Sequence, residues 1–147
     1  MAIYTAGFAA WTAEQFFGAL KKHNVSNLVD VRLNNTSQLA SFAKKRDLEF
    51  FLQELCNVSY FHEPLLAPTA SLLRAYRNRD ISWEEYESNF NLLIKERRVE
   101  EKVSKELFNV NPVVLCSEHK PDRCHRRLAV DYLNLQWGYN VEVVHLV

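Results

Sequence analysis

The residues of this chain best equipped for chemistry stand in one run: Cys116-Ser117-Glu118-His119-Lys120-Pro121-Asp122-Arg123-Cys124-His125-Arg126. Cys116 ends an apolar segment, and the loop after it leads into a helix. At such a helix start the unpaired N–H groups and the helix dipole favour a thiolate over a thiol. The same groups attract anions, and Arg123 and Arg126 add fixed positive charge. Cys116 is therefore a candidate nucleophile, with His125 and Asp30 completing a candidate catalytic set. The opposing reading is equally simple: a cysteine ending a buried strand is a small core residue. Cys124 lies in helical line with Leu128, Tyr132 and Leu135, so the pattern predicts packing for it, at the start of a core face.

Cys116, His119, Cys124 and His125 are four soft donors in one short stretch, which raises the question of zinc. The spacing argues against it. Zinc sites pair their ligands within two separate clusters, whereas Cys124 and His125 are neighbours whose side chains diverge by ~100° on a helix. No metal and no other cofactor is expected.

Elsewhere, Asp30 and Arg32 sit two residues apart at the end of Asn27–Arg32 and point to the same side of a strand. They read as an ion pair that fixes loops, or as a carboxylate that holds Arg123 or Arg126. Arg126 itself, a cation near a helix N-terminus, is expected to be buried against the carboxylate of Asp30 or Glu118. His62 and Glu63 follow a third strand, where His62 is either an acid–base group or a loop hydrogen-bonder. Tyr4 is a core aromatic. Arg74, Arg77 and Arg79, like Lys95, Arg97 and Arg98, read as solvated helix faces.

The elements that must position these groups alternate between strand and helix. Ala2–Ala6 is a strand ended by Gly7, and Thr12 with Gln15 forms a capping box for a helix that reaches His23. Asn27–Arg32 is a buried strand, Leu33–Phe42 a loop, Asp47–Leu55 a helix and Val58–His62 a short strand. After the loop Glu63–Pro68 come helices over Leu72–Arg79 and Ser82–Arg98, the latter with Tyr86, Phe90, Leu93 and Ile94 as its buried stripe and a possible continuation to Leu107. Pro112–Cys116 is a strand, Pro121–Trp137 a helix and Val141–Leu146 the last strand. The alternation predicts a three-layer α/β/α domain, one unit over residues 1–147, with a mostly parallel sheet of about five strands. In such sheets ligands bind at the C-terminal strand edge, where Gly7, Asp30, Arg32, His62 and the Cys116 run all fall.

Composition narrows the class. The 147 residues are 48% hydrophobic and 24% charged, with three glycines and four prolines, which suits a compact core and not a disordered chain. Eighteen basic residues balance eighteen acidic ones, so bulk charge supplies no drive towards nucleic acid or an anionic membrane. Three cysteines do not make a disulfide framework. With no signal-like N-terminus and no run long enough to span a bilayer, a cytoplasmic location is expected.

Four segments together carry a resemblance. Tyr4-Thr5-Ala6-Gly7, Leu28-Val29-Asp30-Val31-Arg32 with Ser37 beyond, Leu115-Cys116-Ser117-Glu118 and Cys124-His125-Arg126 resemble the uncharacterised-domain family DUF 488. The resemblance implies a shared pocket built from Tyr4, Gly7, Asp30, Arg32, Cys116, Glu118, Cys124, His125 and Arg126. Two positions depart from the family pattern: Phe8 stands where a histidine is usual, and Leu65-Leu66-Ala67 where a Leu-Gly-Gly stretch is usual. A looser similarity of layout links Asp30-Val31-Arg32 and Cys116…Arg123 to rhodanese and cysteine-phosphatase domains. Their loop is shorter and glycine-rich, whereas six non-glycine residues separate Cys116 from Arg123 here. Two functions are compatible with these residues. One is an enzyme or enzyme-like domain acting on an anionic small molecule, of nucleotide or phosphate type, with Arg32, Arg123 or Arg126 binding the anion. The other is a non-catalytic ligand- or protein-binding module whose Cys-His-Arg segment is structural.

Overall fold

The computed structural model describes every residue except 1, 10, 36–41, 119 and 120. Five strands, β1 (Ala2–Gly7), β2 (Asn27–Asp30), β3 (Ser59–His62), β4 (Pro112–Cys116) and β5 (Glu142–Leu146), form one sheet in the order β3-β2-β4-β1-β5. All four pairings are parallel. A parallel sheet needs helical crossovers and is covered on both faces. The helices are α1 (Ala13–Lys22), α2 (Lys45–Phe51), α3 (Ala70–Arg77), α4 (Trp83–Arg97), α5 (Val99–Lys102) and α6 (His125–Gln136).

Strand alternation divides the core in two. On one face Leu28, Val113, Leu115 and Ala6 meet Phe16, Phe17 and Leu20 of α1 and Leu48 of α2. On the other, Ile3, Val29, Val114 and Cys116 meet Tyr86, Phe90 and Ile94 of α4 and Leu128, Ala129 and Leu133 of α6. All five residues of β4 are buried, as befits the central strand. The expected α/β/α layering is present, with an all-parallel sheet.

Local chemistry sets the element ends. Thr12 Oγ1 accepts from Gln15 N at 3.1 Å and Gln15 Oε1 accepts from Thr12 N at 2.9 Å, the expected capping box of α1. Ser82 caps α4 in the same way, accepting from Glu85 N at 3.1 Å. Arg98, at φ 55°, breaks the continuation towards Leu107 into α5 and a short 3₁₀ turn. Helix α2 runs into a π-helical turn, Leu52–Cys56, stopped by Asn57 at φ 55°.

Two expected boundaries are corrected. Strand β2 ends at Asp30, not Arg32: the Asp30 carboxylate accepts from the Arg32 backbone N–H at 3.1 Å and turns the chain out of the ladder. Helix α6 begins at His125, not Pro121. Cys124 N donates to Pro121 O at 3.2 Å, closing a separate turn, and Cys124 is extended (φ −138°, ψ 137°) as the residue before the helix.

Candidate functional site

The helices after β1 and β4 leave for opposite faces of the sheet, although the two strands are neighbours. Between such strands the C-terminal edge opens into a crevice. Gly7 and Cys116 are register partners at that edge. A cleft of about 520 Å³ lies there, and Phe8, Arg32, Tyr76, Arg77, Tyr86, Cys116, Glu118, Arg123, Cys124 and His125 are among its lining residues.

Cys116 forms the floor, only 1% exposed. Because Cys124 is not yet helical, its side chain turns back to the strand, and the two Sγ atoms stand 2.6 Å apart. Arg126, fully buried, reaches the same point from the first turn of α6. Its Nη1 donates to Cys116 Sγ at 3.0 Å and to the Glu118 carbonyl, and its Nε donates to Thr5 Oγ1 at 3.3 Å. Burial pushes the Cys116 thiol up. The hydrogen bond from Cys124, the Arg126 charge with its hydrogen bond, and the Glu118 backbone outweigh that and hold it below its ordinary value. Cys124 moves the other way: its bond to Cys116 and its burial keep its proton on. The two sulfurs are thus shifted in opposite directions, so a proton shared between them favours Cys124.

Burial of Arg126 is as expected; its partners are not. The carboxylate pairing with Asp30 or Glu118 is replaced by the Cys116 sulfur, the Glu118 main-chain carbonyl and the Thr5 hydroxyl. Asp30 is occupied elsewhere. Its two oxygens accept from Arg32 Nε at 2.9 Å and Arg32 Nη2 at 2.8 Å, and Oδ2 accepts from Tyr60 Oη at 2.6 Å. This buried, bidentate pair fixes the turn after β2, with Phe8 stacked 5.3 Å from the Arg32 guanidinium.

His125 is also tied down. Its Nε2 donates to the Val31 carbonyl at 2.7 Å, and its ring leans on Phe90. Burial pulls its pKa down to about 4, so the ring is neutral near pH 7, with Nε2 protonated and Nδ1 bare. His62 likewise bonds the Arg32 carbonyl through Nε2 at 2.9 Å, and Glu63 accepts from Leu65 N.

Gly7 earns its place by contact and not by conformation. A Cβ there would overlap the Glu118 carbonyl and stand 2.8 Å from Arg126 Nη1. Arg123 and Glu118 are exposed at the rim. Tyr4 is the outlier of the set, packed against the His23 ring on the α1 face and absent from the cleft lining. Ser37 and His119 lie outside the described residues. Among the described residues, no three His, Cys, Asp or Glu side chains gather as a metal site.

Several participants were not foreseen from the sequence. Thr5, fully buried, accepts from Arg126 and shares a hydrogen bond of 2.6 Å with His145 Nδ1. A lone hydroxyl in an apolar strand was the available signal, because such a group must find a partner. Tyr60 had a weaker one, its place in β3 beside β2. Tyr76, Arg77 and Tyr86 reach the cleft from α3 and α4, and only the tertiary fold brings them there. The Leu65–Ala67 stretch packs behind it, with the Leu65 and Ala67 carbonyls accepting from Arg97 Nη1 at 2.8 and 2.6 Å.

No helix among the described residues is long and apolar enough to cross a membrane. Searches of curated proteins and of solved structures returned no match. The family model "Domain of unknown function DUF488" matches residues 12–133, from the cap of α1 to the third turn of α6, and by that match the chain belongs to the DUF488 family.

Proposed function

We propose that this chain is a thiol-dependent enzyme that binds an anionic small molecule, of nucleotide or phosphate type, with Cys116 as its nucleophile. One observation carries the reading: a fully buried guanidinium donates to the Cys116 sulfur at 3.0 Å while a second thiol stands 2.6 Å from it. A buried cation is costly without an anion beside it, and a thiolate supplies that anion. Arg126 therefore serves the nucleophile, which leaves Arg77 and Arg123, at the cleft wall and rim, to hold the ligand's charge. Tyr76, Tyr86 and Phe8 offer aromatic surface to its remainder. The cleft volume of about 520 Å³ lies in the ordinary range of small-molecule sites.

In this reading His125 and Asp30 position the site and do not transfer protons. The protonated nitrogen of His125 is engaged with Val31, and the Asp30 carboxylate is saturated by Arg32 and Tyr60. The second reading, a binding module with a structural Cys-His-Arg segment, has one observation in its favour: Cys116 is 1% exposed.

Alkylation separates them. Cys116 labelled with iodoacetamide in the native protein should show a rate midpoint well below the ~8.5 of a free thiol, and inorganic phosphate should slow it. Labelling that appears only after denaturation would leave the binding module standing.

A further inference from the structure

A nucleophilic role for Cys116 asks only for a hydrogen-bond donor beside its sulfur, which a hydroxyl or a main-chain N–H could supply. The donor here is a second thiol, that of Cys124, 3% exposed and turned onto the Cys116 sulfur. A buried cysteine needs no such partner for packing, since apolar neighbours serve it as well. Here the chain forgoes a helical start at Cys124, leaving it extended so that its side chain points back to β4. The cost of that turn is met by specific contacts: Pro121 accepts from Cys124 N, and Arg126 lies within 3.9 Å of Cys124 Sγ as well as 3.0 Å of Cys116 Sγ. The two sulfurs and the guanidinium form one buried cluster at the cleft floor. Both sulfurs line the cleft, so a small reactant that enters it meets them together.

We propose that Cys116 and Cys124 are a redox pair that consumes a small hydroperoxide and closes to an intramolecular disulfide. The Cys116 thiolate attacks one oxygen of hydrogen peroxide: an S–O bond forms, the O–O bond breaks, the sulfur is oxidised and the departing oxygen leaves as hydroxide. That hydroxide takes the proton of Cys124 and becomes water. The Cys124 thiolate then attacks the Cys116 sulfenic sulfur, an S–S bond forms, and the second oxygen leaves as hydroxide to be protonated by solvent. One peroxide and one solvent proton, with the thiolate and the thiol, give one disulfide and two waters. A low-molecular-weight thiol, such as dithiothreitol, restores both sulfurs and is itself oxidised to its disulfide. The opposite shifts of the two thiols, Cys116 down and Cys124 up, suit this order of events.

The proposal rests on the Cys116 thiolate of the preceding section but needs no anionic ligand. Its test uses the full wild-type chain and an equimolar portion of hydrogen peroxide near pH 7, followed by alkylation, digestion and mass mapping. Cleavage after Arg123 places the two cysteines on separate peptides, so their linkage is directly visible. The expected result is a Cys116–Cys124 linked pair, a net loss of two hydrogens with no oxygen retained, and full recovery of both thiols with dithiothreitol. In Cys124→Ala the oxygen should instead stay on Cys116 as a sulfenic acid that a cyclic dione captures. Cys56, whose thiol burial pushes up, should remain reduced throughout. A linkage involving Cys56, oxygen retained on wild-type Cys116, or two free thiols after treatment would each overturn the pair. Iodoacetamide labelling run in parallel separates the two ideas: fast Cys116 labelling without disulfide sinks the redox pair alone. Slow labelling with no disulfide sinks both.

Discussion

Arg126→Lys keeps a positive charge at the centre of the site and removes the shape of the group that carries it. In the wild type, Nε holds Thr5 Oγ1 on β1, while Nη1 serves Cys116 Sγ and the Glu118 carbonyl on the other side of the planar group. An ammonium is a point source of donors on a flexible stem and cannot span from Thr5 to the Cys116–Glu118 side at once. At least one of these buried acceptors therefore loses its partner. A bond from a charged donor contributes roughly 1.5–3 kcal/mol, and an abandoned buried acceptor costs about 1–3 kcal/mol, so the net loss should be ~2–4 kcal/mol. For a chain of this size that corresponds to a fall in melting temperature on the order of 10 °C. Thermal and urea unfolding followed by far-UV circular dichroism read it directly. The alkylation midpoint of Cys116 should rise in the same variant, since the donor at 3.0 Å is gone or displaced. A variant that melts within ~1 °C of wild type would refute the claim that the guanidinium fork ties β1, β4 and α6 together.

Gly7→Ala should destabilise by ~2 kcal/mol or more and slow Cys116 alkylation, because the added Cβ meets the Glu118 carbonyl and Arg126; wild-type values in both assays would contradict the packing. Burial holds His125 at about 4 against an ordinary 6.5, so the unfolded chain binds that proton more tightly. Its contribution is complete above pH 6.5 and is lost as the pH falls towards 4, roughly 3 kcal/mol in all. Urea midpoints across that window should flatten in His125→Asn. Tyr60→Phe removes the donor on Asp30 Oδ2 and should cost ~1–2 kcal/mol in urea unfolding, with Arg32 left as the carboxylate's main partner. Replacing Arg77 and Arg123 together by Ala should weaken phosphate protection of Cys116 about tenfold, equivalent to ~1.4 kcal/mol, while leaving the melting temperature near wild type.

The sheet was legible because its strands announce themselves. Pro112–Cys116 is an unbroken apolar run, and its bounds in the structure are those read from the sequence. Thr12 and Ser82 marked helix starts through side chains that can reach the free N–H groups. The start of α6 was misplaced because Pro121 suits the first turn of a helix, and local preference says nothing of a sulfur drawn back to Cys116. That Cys124 is buried followed from its helical spacing; that it faces another thiol did not, since its spacing was read on a helix it does not join. Arg126 was placed correctly inside, but its partners among the described residues include a main-chain carbonyl, a sulfur and a hydroxyl. A search among acidic side chains passes over all three. Arg77 is the exposed cation its sequence predicts, and the packing of α3 beside α4 also brings it to the cleft wall.

The position of β4 has a consequence for assembly. Strand β4 is the fourth made and lies third in the sheet, between β1 and β2, which precede it by some eighty residues or more. Until residues 112–116 arrive, β1 has no neighbour among the earlier strands and β2 has only β3. Contacts that span such a length of chain close slowly, because the intervening loop must lose its freedom first. Growth of this chain on a ribosome therefore leaves an open slot bordered by unpaired strand edges, a surface that invites pairing with other chains. Insertion of β4 fills that slot and, in the same motion, carries Cys116 alongside Gly7.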